Sequence, residues 1–249
     1  VTPSDQAIQG EEAFQRDIIR GLDFVSKKDG MLTLGLKPTR PEPGYGYIQM
    51  GKEVENDVFE VQSFTEKPDR EFARMFMQSG EFYWNTGLFL LNVQFARNRF
   101  CELLPPVLRK FDADNPKVNP HEEALFIREN FPLYPNLSIE HGILESSNDV
   151  FVMQCHFGWA DLGTWHGMYE TMQKGENDNV VIDSDVILED SSNNIIKLPK
   201  GKLGVINGLE GFIVVEKDNV LLICKKEDSS AKVRKYVNEV MLKKGEGFV

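Results

Sequence analysis

Gly44-Tyr45-Gly46-Tyr47-Ile48, Phe64-Thr65-Glu66-Lys67-Pro68 and Trp84-Asn85-Thr86-Gly87 follow one another within a single stretch of the chain. Each block sets glycine or proline beside side chains that hydrogen-bond small polar ligands. Glycine lets backbone come close to a ligand. Glu66 offers acceptors for hydroxyls, and Lys67 offers a mobile cation for a phosphate. Asn85 brings two donors and an acceptor, next to the aromatic Trp84 and the hydroxyl of Thr86. Taken singly, each block also has a plain reading. Gly-Tyr-Gly makes a turn, Glu-Lys-Pro ends a solvated strand, Trp84 fills a core and Lys67 sits on a surface. The order and spacing of all three carry the information.

Periodicity around this stretch predicts alternating helices and strands. Upstream, residues 1–5 read as the end of a strand. Residues 9–29 read as a helix with Phe14, Ile18, Leu22 and Val25 on one face and Gly30 as its stop. Residues 31–36 alternate, with Leu32, Leu34 and Leu36 on one side of a strand. A proline-broken loop over 40–44 leads to a strand pair at 45–50 and 57–64. A short helix over 70–78 closes at Ser79-Gly80, and a buried strand follows at 87–91. A helix over 93–104 ends at Pro105-Pro106. Residues 107–135 read as charged helical pieces on the surface. A helix over 138–145 capped by Ser138, a strand over 150–155 and a helix from about Thr164 complete the α/β part, residues 1–174.

The composition changes near Lys174. Residues 175–179 read as a linker. Short β runs follow at 180–182, 186–189, 195–198, 204–206, 212–216 and 220–224. Asn193-Asn194, Asn207-Gly208 and Asp218-Asn219 supply turns. A last helix shows Val233, Val237, Val240 and Met241 on one face. Residues 175–249 are therefore expected to form a small β domain with a terminal helix.

The formal net charge is −11, from 28 basic and 39 acidic residues, which argues against nucleic acid and anionic membrane as partners. Cys101, Cys155 and Cys224 are far apart and odd in number, so free buried thiols are expected rather than a disulfide framework. His121, His141, His156 and His166 show no metal-ligand spacing. No apolar run approaches the ~20 residues that span a membrane. No signal peptide is visible, and a cytoplasmic location follows by default.

Four segments together resemble one family: Val1-Thr2-Pro3-Ser4-Asp5, the stretch from Pro41 to Ile48, the Glu66-Lys67 and Trp84-Gly87 blocks, and Gly158-Trp159-Ala160-Asp161-Leu162-Gly163-Thr164-Trp165. The chain resembles the sugar-1-phosphate nucleotidylyltransferases, and among them the mannose-1-phosphate guanylyltransferases, over essentially its whole length. The resemblance implies a Rossmann-like mixed sheet followed by a small β domain like an incomplete β-helix. It implies transfer of GMP from GTP to mannose 1-phosphate, giving GDP-mannose and pyrophosphate. Such a displacement between anions rests on positioning and charge neutralisation, and Mg²⁺ is the expected device. Asp5 and Asp161 would hold the metal. Lys67 would contact the phosphate of mannose 1-phosphate, and Glu66 the sugar hydroxyls. Gly44, Tyr45 and Gly46 would line the sugar, with Asn85 holding an oxygen and Trp84 and Thr86 shaping the wall.

The plain readings of the two aspartates stay open: Asp5 as a helix N-cap, Asp161 as a turn residue before Gly163. Gln6 stands where the family has His, and Glu140 where it has Asp, a substitution that lowers the functional reading of Glu140. The family's Gly-x-Gly-x-Arg signature is absent from the 249 residues. Neither Gly44-Tyr45-Gly46 nor Gly245-Glu246-Gly247 is followed by such an arginine. The expectation is the family's enzyme without its first nucleotide-binding half. That chain is inactive alone, with a loosely held Asp5 and an exposed sheet edge. A catalytically silent sugar-phosphate-binding or regulatory module, and a uridylyl- or thymidylyltransferase for glucose 1-phosphate, stay open beside it. The partners are small molecules, and homo-oligomer formation is undecided.

Overall fold

The computed structural model describes residues 1–108, 120–227 and 229–248. Its first part runs β1 (Gln6–Gln9), α1 (Glu11–Lys27), β2 (Met31–Leu36), β3 (Gly46–Glu55), β4 (Val58–Thr65), α2 (Arg70–Ser79), β5 (Phe82–Leu91), α3 (Val93–Leu103), α4 (Pro120–Asn130), β6 (Val150–Cys155), β7 (Gly158–Asp161) and α5 (Trp165–Thr171). All of β2 is buried. Leu32, Leu34 and Leu36 pack with Phe24 and Val25 of α1 and with Phe151 and Met153 of β6. Met31 packs on the other side with Phe89, Phe95 and Val150. Burial on both faces includes Thr33, whose hydroxyl is satisfied by Asn85 Oδ1 at 2.9 Å, and each buried leucine contributes roughly 1.5–3 kcal/mol.

The sheet is mixed. β2, β5, β3 and β4 are antiparallel neighbours in that order. β6 then runs parallel to β2 and antiparallel to the start of β4, so the five strands close into a barrel. Closure corrects the expectation of an exposed edge in this sheet. The expected buried strand at 87–91 starts earlier, at Phe82, because Phe82, Tyr83, Trp84 and Asn85 pair with β3. Gly87, at φ 73°, sits where the pairing with β2 shifts register.

The chain start also differs from the expectation of a strand ending at Asp5. Val1 exchanges both backbone hydrogen bonds with Phe89, and the strand itself begins after Asp5. Asp5 is held rather than loose, since its carbonyl accepts from the Leu162 N–H at 2.8 Å. It precedes a strand, so the helix-cap reading fails. In α1, Leu22 lies at the edge of the apolar stripe and is half exposed, while Phe24 takes the buried place at the other edge. The expected helix over 138–145 narrows to a π-helical turn, Glu140–Leu144. Of the surface pieces expected over 107–135, residues 109–119 lie outside the described residues, as does the His121 side chain. Cys101 is exposed, against expectation, while Cys155 and Cys224 are buried and free. Among the described residues no helix is long and apolar enough to cross a membrane.

The β part stacks short parallel strands: β8 (Val180–Ile182), β10 (Ile195–Lys197) and β12 (Phe212–Lys217) in one sheet, β9 (Asp185–Glu189) with β11 (Leu203–Asn207) in another. β13 (Val220–Lys225) folds back antiparallel on β12 through Asp218-Asn219, both at positive φ. Corners recur from rung to rung in the left-handed region, Asp183 above Gly201, Asp190 above Gly208 and Asn193 above Gly211. Asn179 and Asn194 are buried and stack as a ladder rather than serving as linker or turn residues. The last helix, α6 (Ser229–Lys244), places Val233 against the β-domain core. Val237 and Met241 stay partly exposed, so only part of its predicted apolar face is covered. Tyr169 of α5 belongs to the same core, and packing therefore runs across residue 174.

Candidate active site

β1 and β7 form a two-stranded antiparallel ribbon with Gln6 opposite Asp161. Asp5 immediately precedes Gln6, so this register sets Asp5 diagonal to Asp161. A Cβ at Gly163 would fall 3.0 Å from Asp161 Oδ1 and 3.0 Å from Asp5 Oδ2. The two carboxylates flank one point that only a glycine leaves open. Asp161 Oδ1 also accepts from the Gly163 N–H at 2.8 Å, which is the turn contact expected of an aspartate before Gly163. Burial pushes the Asp161 carboxyl above the usual aspartate range. The charge of Asp5 adds to this, against the Gly163 amide and Lys67.

The opposite wall comes from the barrel. Pairing of Gly46 with Asn85 and of Tyr47 with Thr65 brings the Gly46 backbone beside Glu66. A Cβ at Gly46 would lie 2.6 Å from Glu66 Oε2, so the carboxylate reaches its place only over a glycine. Lys67 Nζ lies 2.8 Å from Glu66 Oε1 and is half exposed. Its φ of 48° is unfavourable for a residue with a side chain and marks a backbone held in place by its surroundings. Asn85 is buried; its Oδ1 accepts from Thr33 Oγ1 at 2.9 Å, and its Nδ2 donates to Glu140 Oε1 at 3.4 Å.

These residues enclose one cavity of about 200 Å³, lined by Asp5, Gln6, Gly44, Tyr45, Gly46, Glu66, Lys67, Asn85, Thr86, Glu140, Trp159 and Asp161 among others. Every expected site residue except Trp84 is on that lining. Trp84 stands behind it, buried edge-on to Tyr45 at 5.2 Å, with Tyr45 in turn edge-on to Trp159 at 4.9 Å. The Thr86 hydroxyl is engaged inside the sheet, donating to the Leu34 carbonyl at 2.8 Å. Gln6 and Glu140 line the cavity although the sequence reading gave them little weight. Gln6 donates to the Thr86 carbonyl and ties the ribbon to β5. Glu140 opens the π-helical turn, a geometry concentrated at functional sites.

The lining carries four carboxylates, Asp5, Glu66, Glu140 and Asp161, against Lys67 alone. A phosphate enters such a cavity at a cost unless a cation accompanies it. The donor set of Asp5 and Asp161 suits a small hard cation: an oxygen of each carboxylate lies 3.0 Å from the place a Cβ on Gly163 would take, and two carboxylates leave positions for water and phosphate. Among the described residues no group of three or more His, Cys, Asp or Glu forms a cage of protein ligands.

The nucleotidyl transferase family model matches residues 1–178. A mannose-1-phosphate guanylyltransferase of Salmonella muenchen is 30% identical over 96% of this chain and 50% of its own length. The alginate biosynthesis protein AlgA of Pseudomonas putida is 34% identical over 91% of this chain and 47% of its own. A crystal structure described as mannose-1-phosphate geranyltransferase of Thermus thermophilus superposes with a TM-score of 0.73 at 26% identity, covering 96% of this chain and 68% of that one. The chain spans about half the length of these curated relatives.

Proposed function

Because the chain belongs to the nucleotidyl transferase family, we propose that it supplies the sugar-phosphate and metal side of a mannose-1-phosphate guanylyltransferase. In that reaction a phosphate oxygen of mannose 1-phosphate attacks the α-phosphorus of GTP, the bond to the β-phosphate bridge breaks, and pyrophosphate leaves. The observation that carries the reading is the convergence of the Asp5 and Asp161 carboxylates in the same cavity as Glu66 and Lys67. Relatives named for mannose 1-phosphate support the choice of sugar.

Asp5 and Asp161 hold Mg²⁺ in this reading, and the bound ion supplies charge neutralisation at the phosphates. Lys67 leaves its pairing with Glu66 for the sugar phosphate, and Glu66, released, accepts from sugar hydroxyls. The Gly44–Gly46 backbone borders the sugar, and the edge-on cluster of Tyr45, Trp84 and Trp159 keeps that wall rigid. The test is titration calorimetry of the chain with mannose 1-phosphate, with and without Mg²⁺, against glucose 1-phosphate. Mg²⁺-dependent binding that favours the mannose ester is expected. No binding, or preference for the glucose ester, would overturn the assignment.

A further inference from the structure

We propose that the terminal helix α6, through Ser230 and Arg234, positions the loop that borders the candidate sugar-phosphate site, an inference that rests on the functional reading above. The loop is Pro41-Glu42-Pro43-Gly44-Tyr45, between β2 and β3. Glu42 is 5% exposed, and a buried carboxylate is costly unless its oxygens are satisfied. Its Oε1 accepts from the Gly44 N–H at 2.9 Å and from Ser230 Oγ at 3.1 Å, and its Oε2 lies 3.4 Å from Arg40 Nε. Arg234 donates to the Pro43 carbonyl at 3.1 Å.

Ser230 and Arg234 are one helical turn apart and so share a face of α6. That face lies directly on the loop backbone, because a Cβ at Gly44 would meet Ser230 Oγ at 2.8 Å. Gly44 itself borders the cavity. A second tie acts on the other substrate segment: Arg70, at the start of α2 just beyond Lys67, pairs with Glu227, just ahead of α6. The start of α6 therefore lies on the loop at Gly44, and the residue just ahead of it ties to the first turn of α2, which follows Lys67. Ser230 and Arg234 do not line the cavity; they act through Glu42 and Pro43 as positioning residues. Asp5 and Asp161 stand at the end of the β1–β7 ribbon, and among the described residues no hydrogen bond or ion pair joins them to Ser230 or Arg234.

The test compares Ser230→Ala, Ser230→Thr and Arg234→Ala in the full chain. The readouts are mannose 1-phosphate affinity by calorimetry with Mg²⁺, Mn²⁺ affinity by electron spin resonance, thermal melting, and amide exchange at Gly44. Ser230→Ala and Arg234→Ala are each expected to weaken mannose 1-phosphate about 5- to 10-fold, the scale of one lost hydrogen bond. Gly44 exchange should quicken while Mn²⁺ affinity holds, and Ser230→Thr, which keeps the hydroxyl, should restore affinity to within about 2-fold. Unchanged sugar-phosphate affinity with Gly44 still protected overturns the proposal. So does a loss of both ligands in step with a loss of melting temperature, since that marks general destabilisation. A wild-type chain that binds no mannose 1-phosphate overturns the reading of the cavity instead. Gly44 exchange then still decides whether α6 holds the loop.

Discussion

Asp161 is a half-buried carboxyl, raised by burial and by Asp5. A raised acid holds its proton longer in the folded chain than in the unfolded one. Its contribution to stability therefore falls as pH climbs from the unfolded aspartate value, about 3.9, through the folded value. Asp161→Asn removes that dependence. Urea denaturation without divalent ions should show the variant gaining stability relative to wild type as pH rises from about 4 through the folded value. The same change should weaken Mn²⁺ binding at least ~10-fold, because the proposed metal site keeps only one of its two carboxylates. Lys67 separates backbone from charge in a different way. Lys67→Ala and Lys67→Gly should both weaken mannose 1-phosphate about 10- to 100-fold, the scale of a charge-assisted hydrogen bond. Only glycine also relieves the left-handed φ, which costs a side-chain-bearing residue roughly 1–2 kcal/mol, set against the ~0.5–1 kcal/mol that glycine's extra chain entropy takes back. Melting curves should therefore place Lys67→Gly at or above Lys67→Ala.

Elements were legible where one side chain decides them. Asp69, whose carboxylate accepts from Phe72 N, starts α2, and Gly80 at φ 75° ends it. Asn92 and Thr164 cap α3 and α5 in the same way. The pairs that build the site were less legible, because they are long-range. Nothing in Gln6-Ala7-Ile8-Gln9 announces β7 as its partner, and four residues are too few for alternation to identify a strand. Asn194 shows the same limit inside the β part. Asparagine in a Gly-poor turn cluster reads as a turn residue, yet here Nδ2 donates to Asn179 Oδ1 and the Leu209 carbonyl, and Oδ1 accepts from Phe212 N at 2.7 Å. Asn194→Ala strands several buried partners at once. At about 1–3 kcal/mol for each group left unsatisfied, a loss of about 3 kcal/mol or more in chemical denaturation is expected.

At the scale of the whole molecule, a phosphate cradle of backbone N–H groups from a glycine-rich loop is what the nucleotide requires, and the 249 residues carry no Gly-x-Gly-x-Arg. The purified chain is therefore expected to release no pyrophosphate from GTP, mannose 1-phosphate and Mg²⁺. Steady release would show that the triphosphate is held by other means. The barrel itself has a kinetic corollary. β6 meets β2 over six residue pairs, from Met31 with Val150 to Leu36 with Cys155, but meets β4 over three, Val58 to Glu60 against Met153 to Phe151. Local opening follows the seam with the fewest shared bonds. Amides of residues 58–60 should exchange with deuterium well before those of β2. Each such opening turns β6 into a strand acceptor, able for that interval to pair with another strand of this chain or of a neighbour.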